Sequence, residues 1–138
     1  MATAANGGRE LSKNRFRAGW VLSGLAIAFL ALDSGGKLLA PETMIANSPP
    51  LGIPADPSFY RELGLILAAC TMLYAWPRSA FLGAVLLTGY LGGAVATQLR
   101  VGNPLLSHTL FGVYLGLFVW GGLWLREPRL RSLFPLKD

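Results

Sequence analysis

"TGYLGGAVATQLRVGNPLLSHTLF", Thr88 to Phe111, decides how the chain is read. Its first half is apolar enough for lipid, yet Thr88, Tyr90, Thr97 and Gln98 interrupt it, and Arg100, Asn103 and His108 follow within a few residues. Pro104 lacks an amide donor and falls just past the end of an apolar run, where that loss does least harm. The stretch therefore reads as the end of one membrane helix, a short link, and the start of an antiparallel neighbour.

The rest of the composition agrees. In 138 residues the apolar fraction is 53% and only 14% are charged, more apolar than a soluble domain of this size usually is. A helix crossing a ~30 Å hydrocarbon layer needs roughly 20 such residues. Four segments approach that length, about 18–39, 59–76, 79–99 and 107–125. Because lipid offers no partner for a free amide or carbonyl, each is expected to be continuous helix, giving an all-α, integral membrane four-helix bundle with antiparallel neighbours. Residues 1–17 and 126–138 read as basic tails. The link 40–58 carries Pro41, Pro49, Pro50, Pro54 and Pro57 and is expected to be a stiff, irregular extracytoplasmic loop, its Met44, Ile45, Leu51 and Ile53 folding back on the bundle mouth or the bilayer surface.

Orientation follows from the basic residues. One side would hold Arg9, Lys13, Arg15, Arg17, Arg78, Arg126, Arg129, Arg131 and Lys137, the other only Lys37, Arg61 and Arg100, so both termini are expected in the cytoplasm. Trp20, Trp76, Trp120 and Trp124 all fall near the same boundary, where an indole keeps one edge wet. Arg15 and Arg17 before an apolar run also suit a secretory signal, but the run is long for one and ends in "LDSGGK" without a clear cleavage site; the first span is expected to remain attached. The net charge of +5 crowds the span ends, facing head groups, and no nucleic-acid motif accompanies it. The lone Cys70 excludes thiol–disulfide chemistry within the chain.

Helix association in lipid relies on close packing and interhelical hydrogen bonds. Gly19/Ser23, Gly64/Ala68, Gly89/Gly93 and Gly112/Gly116 each stand four apart on one helix face and mark the expected contacts, within the bundle or with a second copy or another subunit. Charged and strongly polar groups segregate to the outer end: Asp33 and Lys37 on span one, Arg61 and Glu62 on span two, Gln98 and Arg100 on span three, His108 on span four. A carboxylate inside the hydrocarbon is costly unless paired or wetted. Asp33 and Lys37 are spaced for an i,i+4 ion pair at the interface, or Asp33 turns inward toward His108 or Arg100. Histidine is the side chain whose ordinary titration range lies near neutral pH, so His108 suits a hydrogen bond to a quinone carbonyl or a proton relay. Metal is not expected, since only Asp33, Glu62 and His108 are near one another as ligands. Tyr90 and Tyr114 fall at similar depth, where their hydroxyls can satisfy each other or a neighbouring backbone carbonyl, and Thr97 shares the face of Tyr90, so a polar seam is expected to lead from the outer mouth toward mid-membrane.

With these residues in view, the chain resembles the DoxX-like family of small bacterial four-span membrane proteins. The similarity is close over "LLTGYLGGAVATQLRVGNPLLSHTLF" and the apolar run that follows, where members show T-G-Y-L-G-G-A-x-A-T-H-x-R and a later S-H or T-H, and looser over "ALDSGGKLL", similar to a D-x-x-x-K signature. It spans Gly19 to Leu136. The resemblance implies location in the bacterial inner membrane and carries over Asp33, Lys37, Thr97, Arg100 and His108. One departure is Gln98, where many relatives have histidine. The family takes its name from a subunit associated with thiosulfate:quinone oxidoreduction. An accessory or quinone-associated subunit of a membrane oxidoreductase, with no redox centre of its own, is thus the expected role; a structural subunit, or a proton-coupled transporter using Asp33 and His108, are the alternatives. The expected polar mouth comprises Asp33, Lys37, Glu62, Arg100 and His108, with Thr97 and Gln98 beside it.

Overall fold

The computed structural model describes residues 2–48, 50–133 and 136. Among these there is no strand. Helix α1 runs Ala2–Leu39, α2 Pro41–Asn47, α3 Pro57–Ala75 and α4 Ala80–Arg100; a π-helical turn over Leu105–Thr109 leads into α5, Phe111–Arg126, and α6, Pro128–Arg131, follows. The basic segment before residue 18 is therefore helical and continuous with the first apolar run. At ~1.5 Å per residue, the 38 residues of α1 reach roughly 57 Å, well beyond a ~30 Å hydrocarbon layer. The proline-rich link is also not wholly irregular. Pro41 sits at the start of α2, where its missing amide is harmless and its fixed φ suits a helix, and the turn that follows is helical.

Three helical segments, Ala5–Leu39, Ala80–Arg100 and Leu105–Arg126, are long and apolar enough to cross a membrane. The 19-residue α3 carries exposed Arg61 and Glu62 near its start, which lowers its apolar character. Much of the outer surface is large apolar side chains, among them Leu32, Leu65, Met72, Phe81 and Leu117. Such a surface fits a bilayer and not water.

The long helices pack in the cyclic order α1–α3–α4–α5, each touching the two beside it. The bundle has a hairpin end, where α3 turns into α4, and a loop end, where α2 and the π-helical turn lie. Close backbone approaches fall in a definite pattern. At the hairpin end they join α1 to α5 and α3 to α4. A Cβ on Gly19 would stand 2.7 Å from the Gly122 carbonyl, one on Gly122 would collide with Ser23, and one on Gly83 would collide with the Tyr74 backbone. Toward the loop end they join α1 to α3 and α4 to α5. A Cβ on Gly64 would lie 2.9 Å from Lys37 Cβ, and one on Gly112 2.9 Å from Val95 Cγ2. The helices thus form two pairs, α1/α3 and α4/α5, drawn together at the hairpin end.

Tyr74 ties them there. Its side chain is 0% exposed, and its hydroxyl donates to the Val119 carbonyl at 2.6 Å, reaching across the diagonal of the bundle. With that proton committed, the Ser23 hydroxyl at 2.9 Å donates to Tyr74 Oη. Arg126, expected at the cytoplasmic surface, is instead buried at 8% exposure, its guanidinium 4.2 Å from the Trp20 ring centroid and 5.2 Å from that of Tyr74. Stacking on two aromatic faces compensates a weakly hydrated cation without a carboxylate. Arg131 closes the end of α5, donating to the Leu125 carbonyl at 2.8 Å.

The glycines expected at contacts divide. Gly112 fits between helices, but Gly89, Gly93 and Gly116 have open space where a Cβ would stand, because their faces of α4 and α5 turn away from the neighbouring backbones. Of the two partners expected for the Tyr114 hydroxyl, Tyr90 or a backbone carbonyl, the structure shows the second: Tyr114 Oη donates to the Leu106 carbonyl at 3.0 Å, back along its own chain. Two substitutions probe the hairpin-end clasp. Gly83→Leu should lower stability by ~3 kcal/mol or more through backbone clash, and Tyr74→Phe by about 1 kcal/mol through loss of its hydrogen bonds. Thermal unfolding in detergent, with Gly24→Leu as the neutral control because nothing lies within 4 Å of its Cβ position, checks both.

Candidate functional site

Between the two helix pairs, toward the loop end, lies a chamber of about 520 Å³. Its walls are Phe29, Leu30, Leu63, Leu91 and Leu115 with the Tyr60 and Tyr90 rings, and Met44, Leu51 and Ile53 from the link form its roof. The fold-back anticipated from the apolar residues of the link is thus seen for these three. Of the seven residues expected at or beside the polar mouth, five line the chamber: Asp33, Lys37, Thr97, Gln98 and His108.

Each is held by local chemistry. Lys37 Nζ donates to Asp33 Oδ2 at 2.5 Å, one helical turn apart, so the i,i+4 pair forms and also faces the chamber. Both side chains are mostly screened, at 12% and 26% exposure, and each cancels the other's charge. Thr97 Oγ1 donates to the Gly93 carbonyl at 2.8 Å, as hydroxyls in membrane helices commonly do. Gln98 Oε1 accepts from Asn103 Nδ2, which folds the α4–α5 link against the end of α4.

His108 belongs to the π-helical turn, where the amides of His108 and Thr109 both reach the Pro104 carbonyl at 3.1 Å. Such turns insert an extra residue and re-aim a side chain. The His108 ring is exposed, with Nδ1 2.7 Å from Ser107 Oγ. Buried Thr109 anchors the turn, donating to the Asn103 carbonyl at 3.3 Å.

Two expected members of the mouth are elsewhere. Glu62 is exposed on α3 and does not line the chamber. Arg100 is a strap: its guanidinium donates to the carbonyls of Leu51 and Gly52 at 2.9 and 3.1 Å, pinning the roof to α4. Gly52 turns there with φ +66°, a conformation that glycine adopts freely. Asp33 is hydrogen-bonded to Lys37, Arg100 to the roof carbonyls and His108 to Ser107, so the inward Asp33–His108 or Asp33–Arg100 pairing does not form. Tyr90 and Thr97, expected to share a polar seam, both line the chamber, whereas sequence reasoning gave Tyr60, Phe29 and Phe111 no site role; their signal was only an aromatic at a helix position, which packing explains equally well. No group of three or more metal-ligating side chains occurs among the described residues.

The chamber is therefore an apolar space with hydrogen-bonding groups on its wall and an internally neutralised charge pair. It is built into a protein whose described residues are mostly helical, with no strand, and whose outer faces suit lipid, which defines a small membrane protein. The sequence model of the DoxX-like family matches residues 21–122, and the chain belongs to that family. Comparison with curated proteins and with solved structures gave no match.

If the Arg100 strap fixes the roof, Arg100→Ala should speed amide hydrogen exchange across residues 50–56 about tenfold, the change expected from losing ~1.4 kcal/mol of local stability. Exchange in the core of α1 should not change.

Proposed function

We propose that this protein is a four-span, multi-pass protein of the bacterial inner membrane with both termini in the cytoplasm, and that its chamber binds a quinone as an accessory or quinone-associated subunit of a membrane oxidoreductase. One observation carries this: an apolar chamber of about 520 Å³ whose charged wall groups, Asp33 and Lys37, neutralise each other while hydrogen-bonding groups remain on the lining. Its volume falls within the range of small-molecule sites. A neutral, flat, lipophilic head with carbonyl acceptors suits such a space better than an ion, which would have to break the Asp33–Lys37 pair. The residues fit such a head. Lys37, Tyr90, His108 and the Gln98 amide are the groups that would hold it, and the aromatic walls would stack on it. A bound quinone supplies reversible two-electron chemistry; the chain's own residues bind it, orient it and exclude water.

In this arrangement α3 is the fourth crossing. Its Arg61 and Glu62 stand at the loop end, where side chains reach head groups, and its remaining turns pack between α1 and α4. The loop end then faces outward and the basic α1 extension inward, as the distribution of Lys and Arg favours. A purely structural role in a larger assembly is favoured by a different observation, a lipid-facing groove between α4 and α5 that includes Gly92, Gly116 and Trp120.

Purified protein should carry quinone extractable by solvent. Asp33→Asn, which leaves Lys37 unpaired against the chamber, should reduce that content about tenfold. Wild-type protein devoid of quinone and unable to take it up from quinone-loaded vesicles would overturn the assignment. The structural role predicts instead that Gly116→Leu releases a copurifying subunit while Asp33→Asn does not. For topology, a cysteine at Asn47 should be labelled by a membrane-impermeant maleimide in intact cells, and one at Ala5 only after permeabilisation.

A further inference from the structure

Four helix seams surround the chamber, and three are shut. Along α1/α3, Gly64 lets the backbones approach until its Cβ position lies 3.1 Å from the Ser34 carbonyl. Along α4/α5, Gly112 sits equally close to the Leu91 carbonyl, at 3.1 Å. The α1/α5 seam is bridged by Phe29 and Phe111, packed edge to face with ring centroids 5.0 Å apart. The roof is pinned by Arg100 on Leu51 and Gly52. Only α3/α4 differs. Its close approach, at Gly83 and Tyr74, lies at the hairpin end. At the level of the chamber it presents Gly89, Gly93 and Ala94, which line the cavity and are exposed on the outer surface of α4. Nothing lies within 4 Å of a Cβ built on Gly89 or Gly93. Within this chain, therefore, no neighbouring backbone requires glycine at either position. The two stand one turn apart on one face and leave a side-chain-free sill between chamber and bilayer.

We infer that the chamber's ligand enters and leaves sideways from the bilayer through the α3/α4 seam, across the sill of Gly89 and Gly93, so that the ligand is a membrane-dissolved quinone with an isoprenoid tail that stays in the seam. This rests on the chamber being the quinone site proposed above. The tail explains why the sill is apolar and bare. A ligand arriving from water would have to pass the strapped roof, whereas a tailed quinone is already concentrated at the depth of the sill. Gly93 and Gly89 thus set specificity for tailed over tail-free quinones without touching the head.

The test uses full-length protein in lipid nanodiscs and two photoreactive azidobenzoquinones, one with an isoprenoid tail and one without. Covalent labelling of the chamber walls is read by mass spectrometry. Wild-type protein should be labelled by the tailed probe, and Gly93→Phe should lower that labelling about tenfold. Gly24→Phe, on a lipid-facing position of α1 away from the chamber, should leave it unchanged, as should Arg100→Ala. Since Gly93 has no close neighbour, the thermal midpoint of Gly93→Phe should match that of wild type; if it does not, Gly89→Leu, one turn away on the same face, supplies the comparison. Undiminished labelling in the folded sill variants, or labelling that rises in Arg100→Ala, means entry through the roof and overturns lateral access while the quinone site stands. A sill variant that alters oligomeric state but not labelling likewise assigns the sill to a second helix. Absence of labelling by either probe in wild type removes the quinone site and the entry route together.

Discussion

The hydroxyl of Tyr74 is the point from which the bundle is organised. Its proton goes to the Val119 carbonyl on α5, its oxygen accepts from Ser23 on α1, and its backbone lies against Gly83 of α4, so one residue of α3 meets all three other long helices. In lipid, apolar side chains gain little by leaving the solvent for the protein, so a satisfied polar contact flanked by glycine-sized approaches fixes helix positions that leucines alone would leave free to slide. Arg126 extends the same cluster, lying against the rings of Trp20 and Tyr74 and donating to the Tyr74 carbonyl at 3.5 Å. The guanidinium is tolerated there because two π faces replace part of its hydration.

Drawing the helices together at one end has a consequence at the other. Toward the loop end the close contacts lie within α1/α3 and within α4/α5, and the space between these pairs becomes the chamber. The ionisable groups then separate by role. Asp33 and Lys37 neutralise each other on the wall, Arg100 is spent on two roof carbonyls, and Glu62 stays outside. A cluster that looks like one polar mouth along the sequence is, in three dimensions, a neutral wall, a latch and a surface carboxylate. The π-helical turn adds the last element by presenting His108, held by Ser107, at the rim.

Much of the fold was legible beforehand. The apolar runs, the prolines past their ends and the short links gave helices whose loop-side ends differ little from those observed: α1 stops at Leu39 and α4 at Arg100. The Asp33–Lys37 pair was also legible, since spacing of four on a helix is a local matter. Less legible were α2, hidden under a proline-rich composition that usually means irregular chain, and the helical state of residues 2–17, whose polarity conceals the continuity with α1. Glycine spacing named Gly89, Gly93, Gly112 and Gly116 as equivalent. Only Gly112 meets a neighbouring backbone, because a four-residue repeat selects a face without saying what that face meets.

By itself, then, the sequence determined what depends on composition and on near neighbours along the chain: an all-helical protein suited to lipid, its family, and an ion pair one turn apart. Tertiary structure decided what depends on distant segments meeting. It buried Arg126 between two aromatic rings, turned Arg100 from a candidate ligand group into a strap, and left one seam of the chamber bare. The physical reason is that helical periodicity fixes the angle between residues on one helix, whereas the rotation of each helix about its own axis is set by its partners, here through the contacts of a single buried tyrosine.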